Sequence, residues 1–155
     1  MSDPISLQIL EELQDRLQTI LVSGGFNTNA GQQVFLGERR INPNQLDDGP
    51  VINVFDTEDE IDETTAYGDE EIHITMRVIV AAYIRDVDEE STRLAHLILQ
   101  DIKTAMLKNT DRTLGGLTVD FGYDGRVIEY PEPGGDTLHV SAEFVTTYQE
   151  PYGQP

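Results

Sequence analysis

Carboxylates are the side chains most able to do chemistry in this chain, and one stretch concentrates them. A calcium-binding loop would use such oxygens at alternating positions, as Asp56, Glu58 and Glu60 provide. However, Ile61 stands where that loop needs glycine, and Tyr67 stands where it needs a bidentate glutamate. The stretch therefore does not predict a calcium site. It holds nine carboxylates and no basic residue: Asp56, Glu58, Asp59, Glu60, Asp62, Glu63, Asp69, Glu70 and Glu71.

The other residues that catalyse reactions or hold cofactors show no recognised pattern. His73, His96 and His139 have no metal-ligand spacing, and no serine lies in a nucleophile elbow. Neither glycine pair is followed by the Lys-Ser/Thr of a phosphate loop. No carboxylate lies in an apolar run that would raise its pKa for acid catalysis. We therefore predict no catalytic residue, no metal ligand and no cofactor, and an enzyme is the least favoured class.

Charge and composition exclude further classes. The 155 residues include 29 acidic and 10 basic ones, which gives a net charge of −19. Nucleic-acid binding needs clustered cations to release counterions, and Arg39–Arg40 is the only adjacent basic pair. With no cysteine, disulfides and thiolate chemistry are excluded. No apolar run approaches the roughly 20 residues of a membrane helix, and nothing marks the N-terminus for export.

The predicted frame is a long strand that leads into an amphipathic helix. Even positions from Ile72 to Ile84 are apolar or small, and this period of two predicts a strand. From Leu94 to Met106 the apolar spacing changes to three and four residues, which predicts a helix. Asp86, with Glu89 three residues later, is the expected cap.

The remaining segments predict one domain with mostly antiparallel strands. A first helix is expected from Met1 to Val22, capped by Asp3, and a turn is expected at Asp124–Gly125. Because strands and helices do not alternate regularly, the fold class is α+β, with two helices on one face of the sheet. The domain spans residues 1–148, and residues 149–155 are a tail. Further strands are predicted at Gln33–Leu36, Val51–Phe55, Leu117–Tyr123, Val127–Tyr130 and Leu138–Phe144.

Two features are candidates for contacts with partners. Adjacent like charges repel in a compact element, so Asp56–Glu71 is expected to be an exposed loop that can face a partner. Odd positions at the far end of the long strand are apolar, on a side that the helices do not cover. A subunit interface is therefore predicted at Arg39, Arg40, Ile79, Ala81 and Tyr83.

Several short phrases follow one another along nearly the whole chain. They are the amphipathic helix Ile5–Val22, PVINVF at Pro50–Phe55, the acidic loop, EIHITMRV from Glu71, the helix start near Asp88, Tyr123, Tyr130, and AEFVTTYQE from Ala142. In this layout and in these phrases the chain resembles the tail terminator proteins of long-tailed (siphovirus-type) bacteriophages, the family that includes the lambda minor tail protein U.

The resemblance implies a structural virion protein. Such proteins form a hexameric ring that caps the tail tube, stops its polymerisation and offers a surface for head joining. The implied partners are other copies of the chain, the tail tube protein and the head connector protein. Genomic DNA passes through the ring without specific binding, and the acidic loop Asp56–Glu71 is a candidate to line this lumen. The implied location is the virion tail, after assembly in the host cytoplasm.

Two alternatives remain open. The first is a head-tail connector or head-completion component of the same particle. The second is an acidic inhibitor that mimics DNA, which the charge of −19 would suit.

Overall fold

Two fifteen-residue strands at the centre of one sheet organise the chain. The computed structural model describes residues 3–61, 71–107 and 113–151. The elements, in order, are α1 (Ile5–Gln18), β1 (Val34–Leu36), β2 (Val51–Ile61), β3 (Glu71–Arg85), α2 (Glu89–Met106), β4 (Asp120–Glu129) and β5 (Thr137–Pro151). Short 3-10 turns lie at Val22–Gly24, Ala30–Gln32, Pro43–Asp48 and Leu114–Gly116.

The sheet has the order β1-β2-β3-β5-β4. β1 pairs with β2 in parallel, and every other pair is antiparallel. β3 and β5 pair along their whole length without a register shift, from Glu71 opposite Pro151 to Arg85 opposite Thr137. The predicted α+β domain with a mostly antiparallel sheet is confirmed.

Both helices cover the same face of the sheet, which we call the inner face. Met76, Val78 and Val80 of β3 are fully buried there, as the predicted alternation requires. α1 contributes Ile9, Leu13 and Leu17, and α2 contributes Ile98, Ile102, Ala105 and Met106, all of them fully buried. The opposite face, with the odd residues of β3, is called the outer face.

Several predicted element ends and caps were wrong. α1 is shorter than predicted, and Pro4, not Asp3, occupies its N-cap. The α2 cap is Asp88, not Asp86: its carboxylate accepts from the Glu90 backbone N–H at 2.9 Å. Ser91 Oγ accepts from the Val87 backbone N–H at 3.0 Å and so completes the capped turn.

Two predicted breaks in the sheet are continuous strand instead. Asp124–Gly125 is not a hairpin turn, because β4 continues through it with a bulge in its pairing to β5 between Tyr123 and Gly125. The predicted tail begins inside β5, since Gln149 and Glu150 pair with His73 and Ile72. The last four residues, 152–155, lie outside the described residues.

A buried carboxylate ties α2 to the segment that follows α1. Asp101 is only 2% exposed. Its Oδ1 accepts from the Asn27 backbone N–H and from Asn27 Nδ2, both at 3.0 Å. Its Oδ2 accepts from the Thr28 backbone N–H at 2.9 Å and from Thr28 Oγ1 at 2.7 Å. Four donors therefore satisfy the buried Asp101 carboxylate. Without these hydrogen bonds, burying a carboxylate here would be energetically costly.

Replacing Asp101 with Asn should therefore destabilise the fold by about 3 kcal/mol, because an amide presents donors to donors and leaves buried N–H groups unpaired. Urea unfolding measured against wild type checks this. Thr104→Ala is the matched control, since Thr104 is exposed on the same helix. The control should shift stability by less than about 0.5 kcal/mol. Equal stabilities for D101N and the control would contradict this assignment.

Candidate interaction surface

A single arginine at the centre of the outer face links three strands to β3. Arg77 Nη1 lies 2.7 Å from a Glu143 carboxylate oxygen and 3.2 Å from one of Asp124. Its Nε lies 3.3 Å from Glu58 Oε1. The hydrogen bonds to Glu143 and then Asp124 raise the pKa of the Arg77 guanidinium above its usual value. One cation thus screens three carboxylates that β2, β4 and β5 bring together.

A stacked aromatic pair lies nearer the end of the sheet from which α2 departs. The rings of Tyr83 and His139 are 4.7 Å apart and nearly parallel, at 10°. His139 Nδ1 lies 3.3 Å from a carboxylate oxygen of Glu129 on β4. Burial raises the pKa of the Tyr83 hydroxyl, and the charges of Glu38 and Glu129 raise it further. Tyr83 is half-buried within its own chain and so is only partly available to a partner.

The segment between β1 and β2 lies against the outer face. Asn53 Nδ2 donates to the Arg39 carbonyl oxygen at 3.0 Å. Arg85 Nη2 donates to the Pro43 carbonyl oxygen at 2.9 Å and pairs with Asp47 at 2.9 Å. These contacts hold an irregular segment on the sheet.

This arrangement corrects part of the predicted subunit interface. Ala81 is 1% exposed and cannot contact another subunit directly. Ile79 and Tyr83 are partly exposed, while Arg39 and Arg40 are exposed in the segment after β1. The five predicted residues therefore divide into a half-buried strand pair, one buried alanine and an accessible arginine pair.

The arginine pair borders a pocket of about 340 Å³ at the β1 edge of the sheet. Its lining consists of Phe35, Arg39, Arg40, Ile41, Gln45 and Asn53. Arg39 Nε donates to the Leu36 carbonyl oxygen at 2.9 Å. Asn53 is fully buried, and its Oδ1 accepts no hydrogen bond from the residues that the structure describes. The pocket thus combines two arginines with the buried amide of Asn53.

The predicted acidic loop is largely wrong where the structure describes it. Asp56, Glu58, Asp59 and Glu60 belong to β2, which continues to Ile61. A bulge lies between Asp56 and Glu58 in the pairing with β3. Glu71 is the first residue of β3. Asp62, Glu63, Asp69 and Glu70 lie outside the described residues.

Pairing with β3 explains how a strand accommodates these charges. Asp56 and Asp59 stand opposite Val78 and Met76, on the inner-face side. After the bulge, Glu58 and Glu60 stand on the outer-face side. The four side chains are exposed, and the strand divides them between two faces, which lowers their mutual repulsion. They remain candidates for facing a partner.

The inner-side carboxylates perturb a buried tyrosine. Burial raises the pKa of the Tyr148 hydroxyl to about 12, helped by the charges of Asp59, Glu150 and Asp56, while a hydrogen bond with Ser6 opposes the shift. Burial, and then the charge of Asp56, raises the pKa of Asp59. The acidic end of β2 therefore lies close to the last residues of β5.

Two residues that organise this surface were not singled out in the sequence analysis. The sequence showed Arg77 only as a cation at one of the polar positions of an alternating strand. Asn53 carried a clearer signal, because it interrupts the apolar run Val51–Phe55. A buried amide in such a run indicates a specific hydrogen-bonding requirement.

Comparison with known proteins finds no matching family model and no matching curated sequence. Across the described ranges, no helix is long and apolar enough to cross a membrane. Within those same ranges, no group of three or more His, Cys, Asp or Glu side chains is arranged to hold a metal ion.

The raised pKa of Tyr148 predicts a loss of stability in alkali. The unfolded state releases this proton near pH 10, whereas the folded state keeps it until about pH 12. The tyrosine's contribution is thus complete below pH 10 and is lost as the pH rises toward 12.

Tyr148→Phe should flatten this decline, and urea unfolding from pH 8 to pH 11 measures it. Tyr130→Phe is the control, because Tyr130 is 57% exposed. We expect the control to follow wild type. Parallel curves for Tyr148→Phe and wild type would show that Tyr148 is not the group responsible.

Proposed function

We propose that this protein is a structural virion component that forms a ring on the end of a bacteriophage tail tube. The ring stops tube polymerisation and supplies the surface for head joining. The support begins with the resemblance of the sequence to tail terminators. The phrases that carry it fall on α1, β2, the start of β3, the start of α2 and the end of β5.

The observation that carries the proposal is the difference between the two edges of the sheet. β4 is an edge strand of ten residues, with Val127 54% exposed on it and Tyr130 57% exposed just after it. The other edge starts with β1, which has only three residues and borders the pocket with Arg39 and Arg40. Exposed apolar side chains beside an open strand edge favour burial against another chain.

Unlike edges favour a ring over a two-fold dimer. A two-fold contact uses the same surface twice, whereas joining one edge to a different edge is a head-to-tail contact. Head-to-tail contacts close into a ring when the rotation between neighbours permits. A tail tube is itself ring-built, so a ring of this kind matches its end.

The acidic surface suits a channel for DNA. A net charge of −19 per subunit repels phosphates, so a lumen lined by such subunits lets DNA slide without binding. Glu58 and Glu60 at the outer-face end of β2 are exposed candidates for this lining.

Light scattering at increasing protein and salt concentrations tests ring formation. Strongly acidic neighbours repel, so salt should promote assembly. We expect a species of about six times the 17.3 kDa subunit mass. A dimer that stays unchanged under all conditions would reject the ring and favour the acidic inhibitor.

Tube capping distinguishes a terminator from a connector. Purified protein added to polymerising tail tube protein should shorten and narrow the distribution of tube lengths seen by electron microscopy. Bovine serum albumin at equal concentration is the control. Unaltered tube lengths, together with binding to the head connector, would assign the protein to the connector class.

A further inference from the structure

The register of the sheet places two complementary groups at the same level on opposite edges. Across the strands, Phe35, Asn53, Ala81, Ser141 and Val127 form one row on the outer face. The pocket with the arginine pair lies at the β1 end of this row. Val127 lies at the β4 end, and Glu129 is two residues beyond it.

The pocket at the β1 end of the row suits an anionic group. No carboxylate lines the pocket, although acidic residues outnumber basic ones almost three to one in the chain. Arg40 is exposed and makes no ion pair with any residue in the described ranges. An arginine fork binds a carboxylate through two parallel hydrogen bonds.

The pocket also favours a peptide over a free ion. Phe35 and Ile41 add apolar walls to the pocket, which a small inorganic anion would leave unfilled. The matching occupant therefore carries a carboxylate and an apolar side chain.

The β4 edge has both of these groups. The Glu129 side chain is 67% exposed, and its carboxylate lies 3.3 Å from His139 Nδ1. Val127 and Tyr130 are exposed beside it. β4 pairs with β5 on one side, and on its other side no described strand pairs with it.

We propose that the pocket at Arg39 and Arg40 binds the β4 edge of a second copy of this chain, with the Glu129 carboxylate on the Arg40 guanidinium. The symmetry of this contact rests on the proposed ring. When the rotation axis that relates neighbouring subunits is parallel to the strands, groups at the same height on the two edges of the sheet meet without a shift along that axis. The register places Glu129 close to the level of the pocket.

Crosslinking tests the contact even when assembly is transient. The chain has no cysteine, so Arg40→Cys and Glu129→Cys introduce unique thiols. The two variants, mixed and treated with a short bis-maleimide, should give a crosslinked dimer. Arg40→Cys mixed with Glu11→Cys is the control, because Glu11 is exposed on α1. Equal crosslinking in both mixtures would overturn the contact.

Charge reversal tests the pairing itself. Arg40→Glu and Glu129→Arg should each raise the protein concentration needed for assembly by roughly tenfold or more, and the double variant should restore it. Arg93→Glu and Glu11→Arg change the net charge equally at exposed helix positions and should have much smaller effects. Failure of the double variant to recover, with its urea unfolding unchanged, would overturn the pairing.

A chain that carries Arg40→Cys and Glu129→Cys together separates this contact from the proposed ring. A crosslinked ladder that ends at six supports both. A product that stops at the dimer supports the contact and overturns the ring. No product beyond the control overturns the contact, and the ring is then judged by light scattering alone.

Discussion

The pairing of β3 with β5 is the constraint on which the rest of the structure depends. Fifteen residues of each strand pair without a register shift, whereas β2 and β4, on either side, each contain a bulge. A slip of one residue would turn Met76, Val78 and Val80 away from the helices and expose them. Burial on the inner face therefore sets the position of every group on the outer face.

That constraint explains the central arginine. With the inner face filled by apolar side chains, the polar residues of β3 must lie outside, where neighbouring strands bring Glu58, Asp124 and Glu143. Arg77 is the cation that the register places among them. In a chain of charge −19, one guanidinium shared by three carboxylates reduces repulsion where the strands hold acids together. The other carboxylates at the end of β2, Asp56, Asp59 and Glu60, instead rely on exposure to water.

The sequence predicts those elements whose burial pattern repeats along the chain. β3, α2 and the inner-face core follow from alternation and helical spacing, because each residue's burial is repeated along the element. The acidic half of β2 was missed because the composition of this segment does not indicate that it pairs with β3. Gly125 signalled a turn, but the long partner strand β5 continues past it, so the chain forms a bulge instead.

The interface residues were harder to predict for a related reason. Ala81 occupies an apolar outer position, yet the segment between β1 and β2 returns over the sheet and buries this part of the face. That segment is irregular, so no period indicates where it lies. Asn53 is the one residue whose type indicates this segment in the sequence. A polar residue is stable in a buried strand only where it has a hydrogen-bond partner, which here is the Arg39 carbonyl oxygen.

The same returning segment makes the two edges of the sheet different. It leaves β1 only three residues long and places cationic side chains beside it, while β4 keeps ten residues with an open side. A sheet with two similar long edges would associate with itself in several ways. Here one edge is short and basic, and the other is long, acidic and partly apolar. In the proposed ring, the contact between these unlike edges has a direction, and a direction is what separates a closed ring from a symmetric pair.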